Sequence, residues 1–140
     1  MRIIIYTAIF GRYDYLKKPT RFANCSYMCF TDDCHLNQEN WVVKLEKGHC
    51  DDARRNAKIF KILPHRYFPE FDYSLWVDGT HIPTLDVNIL VERYLDGEDI
   101  AFFNHPDRTC IYQEAKACKK LRKDSEDVID EQMDLKDIEV

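Results

Sequence analysis

The sequence predicts an α/β fold in which helices cover both faces of a mainly parallel sheet. Apolar runs typical of buried strands alternate along the chain with amphipathic segments of helical period. The chain has 140 residues, enough for one hydrophobic core. Its hydrophobic fraction of 45% and charged fraction of 32% are those of a globular protein and exclude a disordered one.

Three strands are predicted in the first third of the chain. Residues 2–10 form an isoleucine-rich run, which indicates a buried strand. Residues 27–31 predict a second strand, and residues 41–47 predict a third with more polar character. Strands that recur between helices pair in parallel, so these three are expected in one sheet.

Helices and strands then alternate to residue 123. Residues 51–63 place apolar side chains at helical spacing, and Pro64 ends that helix. Trp76, in the next apolar run, is interpreted as a core residue. The later segments are a strand at 73–77, a helix at 85–95, a strand at 99–105 and a helix at 111–123.

The net charge of −5 lies in the C-terminal tail. Residues 121–140 hold eight Asp or Glu and three Lys or Arg, and the first 120 residues hold 17 of each sign. A neutral main body lacks the basic face that a nucleic-acid partner requires. No apolar run approaches the roughly 20 residues of a membrane span. Because no signal-peptide cleavage site follows the first strand, a cytoplasmic protein is expected.

The six cysteines suggest free thiols in such a compartment, not disulfides. No C-x-x-C pair is present, so a zinc knuckle is not expected. Cys29, Cys34 and His35 are a weaker candidate for part of a metal site. The preferred interpretation is that the cysteines are small apolar residues.

Polar groups follow three of the predicted strands. They are residues 11–14, with Gly11 in a tight turn, residues 31–33, and residues 78–81. In parallel sheets the ligand crevice lies beyond the carboxyl ends of the strands. Asp78 follows a buried run directly, and a carboxylate there must meet water, a metal or a partner. We therefore predict that the three strand ends line one site.

A basic helix adds the opposite charge. Arg54 and Lys58 are four residues apart and share a helix face. One interpretation is a solvated face, with Asp51 paired to Arg55. The other is a clamp for a diphosphate, assisted by the helix N-terminus.

Several stretches together resemble a known family. In chain order they are IYTAIFGRYDYL, YMCFTDD, RRNAKIFKILPHRYFP, YSLWVDG and FFNHPDRTCIYQEAKAC, over residues 2–118. They resemble the TOD/MUCI-type glycosyltransferase-like family, which includes plant Golgi proteins of mucilage and pollen tubes and bacterial relatives. The resemblance implies a GT-A-like fold that binds a nucleotide sugar. It also implies a glycan acceptor and a role in cell-surface or capsular polysaccharide synthesis.

The resemblance assigns donor-binding roles by position. The residues it implies are Thr7, Phe10, Gly11 and Asp14 around the nucleoside, Asp32 and Asp33 at the base or ribose, and Arg54 and Lys58 at the diphosphate. A catalytic role is implied for Asp78. Glu114 is either a second catalytic carboxylate or the partner of Arg108.

The sequence around Asp78 departs from the metal-binding motif that is commoner in GT-A folds. Many such enzymes use Asp-x-Asp, whereas this chain has Asp78-Gly79-Thr80. Mg²⁺ can bind through one carboxylate with waters and substrate phosphates, and His81 would suit Mn²⁺. Alternatively no metal is used and Arg54 and Lys58 neutralise the leaving diphosphate.

The expected organisation is a donor-binding domain at residues 1–120 followed by an acidic helix or tail at 121–140. Relatives continue beyond the segment that matches Cys118, so the fold is expected to be incomplete at its C-terminal side. An exposed sheet edge would then favour self-association. The alternative to a glycosyltransferase is a non-catalytic remnant that binds a nucleotide or a partner.

Overall fold

The computed structural model describes residues 1–134, and the chain forms two compact units. The first unit covers residues 1–99, and the second starts at Ile100. The first contains β1 (Ile3–Ile9), β2 (Cys25–Thr31), β3 (Val42–Leu45), α1 (Ala53–Ile62), α2 (Pro64–Tyr67), β4 (Tyr73–Trp76) and α3 (Val87–Tyr94). The second contains α4 (Ile111–Lys120) and α5 (Glu126–Asp134).

The four strands found among residues 1–134 form one parallel sheet in the order β3-β2-β1-β4. β1 is a central strand and is buried along its whole length. Ile5 pairs with Tyr27 of β2 on one side and with Leu75 of β4 on the other. Parallel pairing places all the carboxyl ends at one edge, so the predicted α/β class with a parallel sheet is confirmed.

Helices cover both faces of this sheet because side chains alternate along β1. Ile5 packs on one face in a cluster that includes Val87 of α3. Tyr6 packs on the other face in a cluster with Phe60 of α1 and with Phe68. Each fully buried side chain of this size contributes about 1.5–3 kcal/mol to folding. The two clusters therefore hold α1 and α3 against opposite faces of the sheet.

The start of α1 is set by a side-chain cap. The carboxylate of Asp52 accepts hydrogen bonds from the backbone N–H groups of Arg54, at 2.9 Å, and Arg55, at 3.0 Å. These bonds satisfy donors that lack partners within the helix. The helix ends one residue before Leu63, and Pro64 begins α2. Within residues 1–134 no helix is long and apolar enough to span a membrane.

The second unit contains α4 and, in the acidic end of the chain, α5. Lys119 of α4 forms an ion pair with Asp130 of α5. Ile129 is buried and anchors the apolar side of α5. Residues 121–134 thus include a regular helix as well as charged surface.

The prediction of a strand at residues 99–105 is wrong. The segment has no regular secondary structure, and Phe102 and Phe103 are 81% and 80% exposed. Its composition is apolar, but a strand also needs a neighbour for its backbone groups. The apolar composition of the segment does not reveal whether such a neighbouring strand exists.

Candidate functional site

A cleft of about 320 Å³ lies at the carboxyl ends of β1 and β4, beside α1. The residues after β1 supply Phe10, Tyr13 and Asp14 to its lining. The loop after β4 supplies residues 78–81, and one side of α1 also lines the cleft. This is the position where parallel α/β sheets bind ligands.

The wall formed by α1 is positively charged. Arg54, Lys58 and Lys61 line the cleft, and their spacing of four and three residues places them on one face of the helix. A guanidinium nitrogen of Arg54 lies 3.6 Å from the Asp52 carboxylate. The ammonium of Lys61 lies 5.5 Å from the ring centroid of Trp76. Three cations therefore line one side of the cleft.

Asp78 lines the same cleft from the loop after β4. The backbone N–H of Val77 donates to the carbonyl of Tyr6 at 3.0 Å, which extends the pairing of β4 with β1 by one residue. The indole N–H of Trp76 donates to Oδ1 of Asp78 at 3.0 Å. Residues two apart in an extended chain point to the same side. The carboxylate after the apolar run thus meets an indole donor and the open cleft.

Gly79 allows the loop after β4 to pack closely against the loop after β1. A Cβ atom at this position would lie 2.8 Å from Cδ1 of Ile9 and 3.3 Å from Cβ of Asp14. A side chain there would displace one of these neighbours. The close approach brings Asp14 and Asp78 into one cleft, although they are 64 positions apart in the sequence.

The turn after β1 is held by two aspartates that follow β2. Gly11 and Arg12 both have positive φ, +58° and +52°, and the N–H of Tyr13 donates to the carbonyl of Phe10. The N–H of Gly11 donates to Asp32 at 2.9 Å. The guanidinium of Arg12 donates to Asp33 at 3.0 Å.

Through these bonds Asp32 and Asp33 stabilise the turn after β1. The N–H of His35 and the guanidinium of Arg12 hold the pKa of Asp33 below its usual value. The lowered pKa keeps Asp33 anionic, and therefore paired with Arg12, in acid that would begin to protonate an ordinary aspartate. Asp32 and Asp33 are not among the described residues that line the cleft. Their predicted contact with the base or ribose stays a prediction.

Some of the predicted donor-binding and metal-binding residues line the cleft, and others do not. Thr7 is 0% exposed and lies within β1 on the side packed against α3, and Gly11 is exposed beside the cleft. Phe10 is buried and stacks on Phe60, with ring centroids 5.7 Å apart. The predicted residues that line the cleft are Phe10, Asp14, Arg54, Lys58, Asp78 and His81.

Glu114 lies in the second unit, at the first turn of α4. Its carboxylate accepts hydrogen bonds from the guanidinium of Arg108 and, at 3.4 Å, from the thiol of Cys118. Both lower the pKa of Glu114, and the Cys118 bond has the larger effect. Arg108 also contacts Nε2 of His105 at 2.6 Å. The predicted pairing with Arg108 is therefore present, and the catalytic role stays a prediction.

The donor set around Asp78 suits a divalent ion that shares its ligands with a substrate. Residues 1–134 contain no group of three or more His, Cys, Asp or Glu placed to hold a metal. Asp78 retains an oxygen outside its bond to Trp76, and Nδ1 of His81 contacts Thr80 at 3.2 Å, which leaves Nε2. Mg²⁺ and Mn²⁺ accept few protein ligands when phosphates and waters complete the shell.

The role of Trp76 in the cleft was missed in the sequence. Trp76 was interpreted as a core residue, and it does pack edge-on against Tyr6, at 5.4 Å between centroids. However, it also lines the cleft and holds Asp78. The period-two spacing of Trp76 and Asp78 is a signal that could have found this contact. Lys61 belongs to the same basic segment of the sequence, and its position three residues after Lys58 places it on the same helix face.

Comparison with known proteins identifies the family. The model of the TOD1/MUCI70, glycosyltransferase-like domain matches residues 1–139. The chain belongs to this family. A probable hexosyltransferase, MUCI70 of Arabidopsis thaliana, is 31% identical over 153 aligned residues, which cover 94% of this chain. The alkaline ceramidase TOD1 of the same plant is 28% identical over 149 residues, which cover 86% of this chain.

Both relatives are much longer proteins. The matched regions make up 26% of the probable hexosyltransferase and 32% of the ceramidase. No solved structure matches the chain at a significant level. The family membership therefore supports a glycosyltransferase-like domain, and the geometry of the cleft has to support any finer assignment.

Proposed function

We propose that the cleft binds the diphosphate of a nucleotide sugar and that the chain is the donor-binding part of a GT-A-type glycosyltransferase. The observation that carries this proposal is that Arg54, Lys58, Lys61 and Asp78 line one cleft at the strand ends. A diphosphate has the charge to bind these cations, and a divalent ion can link its oxygens to a carboxylate. Cell-surface or capsular polysaccharide is the product class we propose.

The cations of α1 match the chemistry of sugar transfer. When the bond between the sugar and the diphosphate breaks, negative charge builds on the leaving diphosphate. Fixed positive groups lower the barrier because they stabilise this charge without having to reorganise. Arg54 and Lys58 are held on one face of a capped helix, so they are in place before the reaction begins.

A divalent ion would be held by Asp78, with His81 as a second protein ligand. The ion would supply Lewis-acid charge to the diphosphate oxygens when bound. Asp14, which lines the same cleft, adds negative charge on the carboxylate side. The cleft therefore has acidic side chains to attract the cation and basic side chains to attract the phosphates.

Calorimetric titration tests the proposal. The wild-type chain is titrated with UDP, GDP, their sugar conjugates, the parent nucleosides and inorganic diphosphate, with and without Mn²⁺. We expect at least one nucleoside diphosphate to bind more tightly than its nucleoside, and Mn²⁺ to increase that affinity. Failure of every diphosphate to bind would contradict the proposal.

Two further measurements separate the alternatives. Donor consumption in the presence of glycan acceptors distinguishes a transferase from a protein that only binds the nucleotide. Release of fatty acid from ceramide tests the activity named for the second relative. Ceramide hydrolysis without nucleotide binding would replace the glycosyltransferase assignment.

A further inference from the structure

We propose that Trp76 is a positioning residue of this donor site and fixes the Asp78 carboxylate for the divalent ion. The inference rests on the proposed function. The indole N–H donates to Oδ1 of Asp78 at 3.0 Å, so Oδ2 is the oxygen left for a cation. In this role Trp76 acts on the ion through the carboxylate and is not itself a ligand of the ion.

The indole is well anchored for this task. Its ring packs edge-on against Tyr6, which is buried in the central strand β1. Trp76 also pairs with Tyr6 through the backbone ladder between β4 and β1. A donor fixed at both its backbone and its ring can restrict a carboxylate that would otherwise rotate freely on an exposed loop.

The expected effect is that of a hydrogen bond behind a metal ligand. Partners of this kind orient the ligand and adjust its basicity, and their loss typically lowers metal affinity about 10–100-fold. Asp78 contributes a single carboxylate where many related folds use two. Its orientation therefore matters more, because no second aspartate follows it in an Asp-x-Asp pair.

The same ring has a second contact that can be separated from the first. The ammonium of Lys61 lies 5.5 Å from the ring centroid, as in a cation–π pair. Substitution of Trp76 by Phe keeps an aromatic ring for Lys61 and Tyr6 but removes the indole N–H. The variant therefore tests the bond to Asp78 more than the packing of the ring.

The chain offers a matched control in Trp41. Its indole N–H also donates a hydrogen bond, to the carbonyl of Lys17 at 2.9 Å, and its ring packs edge-on against Tyr27. Trp41 is buried and is not among the described residues that line the cleft. Trp41→Phe therefore removes the same donor from the same kind of side chain without touching Asp78.

The experiment measures UDP and GDP affinity with and without Mn²⁺ in wild type, Trp76→Phe and Trp41→Phe. We expect Trp76→Phe to reduce the gain in affinity that Mn²⁺ provides by about tenfold or more. Trp41→Phe should keep the full gain. Thermal unfolding of each variant checks that the fold is retained, and Trp76→His, which restores a ring N–H, should recover part of the gain.

The outcomes distinguish this inference from the proposed function. If wild type and Trp76→Phe show the same gain with Mn²⁺, the positioning role is wrong and the donor site stands. If both tryptophan variants lose affinity equally with and without metal, Trp76 is only a packing residue. If wild type itself gains nothing from Mn²⁺, both the metal site and the role of Trp76 are contradicted.

Discussion

Replacement of Asn56 by Ala should lower the free energy of unfolding of the first unit more than an Asn→Ala substitution at an exposed position does. Asn56 is 4% exposed and lies on α1. Its Oδ1 accepts from the N–H groups of His49, at 2.7 Å, and Cys50, at 3.0 Å, and its Nδ2 donates to the carbonyl of Cys50 at 2.7 Å. One side chain thus fixes the loop that leads into the cationic helix.

The magnitude follows from those three bonds. Each contributes a net of about 0.5–1.5 kcal/mol, and their loss also leaves backbone groups of the loop without partners. We expect Asn56→Ala to lower the free energy of unfolding by about 2–4 kcal/mol. With a urea dependence of about 1–3 kcal/mol/M, the midpoint should fall by on the order of 1–2 M.

Urea titration monitored by tryptophan fluorescence is the assay. Both tryptophans of the chain, Trp41 and Trp76, lie in the first unit, so the signal reports on that unit alone. Asn37→Ala, at an exposed position, is the matched control and should change stability by less than about 0.5 kcal/mol. An Asn56→Ala midpoint equal to that of the control would refute the reasoning.

Three other predictions follow from the charges and thiols. Lys58→Met should weaken nucleoside diphosphate binding by about 1.5–3 kcal/mol and leave nucleoside binding unchanged, measured by calorimetry; parallel losses would indicate packing instead. The backbone N–H groups of Arg55 and Arg54 lower the pKa of Asp52 in the folded chain. The ionised carboxylate therefore stabilises the fold at pH values above the usual aspartate pKa, and this stabilisation is lost as the pH falls through the lowered pKa of the folded state. Asp52→Asn still caps α1 but does not titrate, so urea midpoints between about pH 5 and pH 2 should fall less than in wild type; an unchanged slope would contradict this. Burial raises the pKa of Cys29 to about 12, so a thiol reagent should react with Cys29 only after unfolding. After unfolding without reductant the reagent should count six thiols, and fewer than six would indicate a disulfide.

Much of the fold could be predicted because it depends on local pattern. The isoleucine-rich run gave β1 to within a residue or two, since a strand buried on both faces is apolar throughout. Pro64 marked the end of α1 because proline cannot donate within a helix. The segment at 99–105 failed the same test, because its apolar composition does not reveal whether a neighbouring strand exists.

The site could be predicted in outline only. Parallel strands bring their carboxyl ends together, so Asp14 and Asp78 could be expected at one edge. Which polar groups face a ligand depends on contacts that are distant in sequence. Asp32 and Asp33 bind the turn after β1, and no local pattern distinguishes that task from ligand binding. Trp76 shows the opposite case, since a residue interpreted as core also holds the cleft's carboxylate.

The most direct test of a nucleotide-sugar site compares wild type with Asp78→Asn by calorimetry, using UDP and GDP with Mn²⁺. Asparagine keeps an oxygen that can accept the Trp76 N–H, so the substitution removes the negative charge while retaining the hydrogen bond. We predict that wild type binds a nucleoside diphosphate more tightly with Mn²⁺ and that Asp78→Asn loses this metal-dependent gain while its thermal unfolding stays unchanged. Equal metal-dependent affinity in the two proteins would contradict the assignment of Asp78 as the anchor of the donor site.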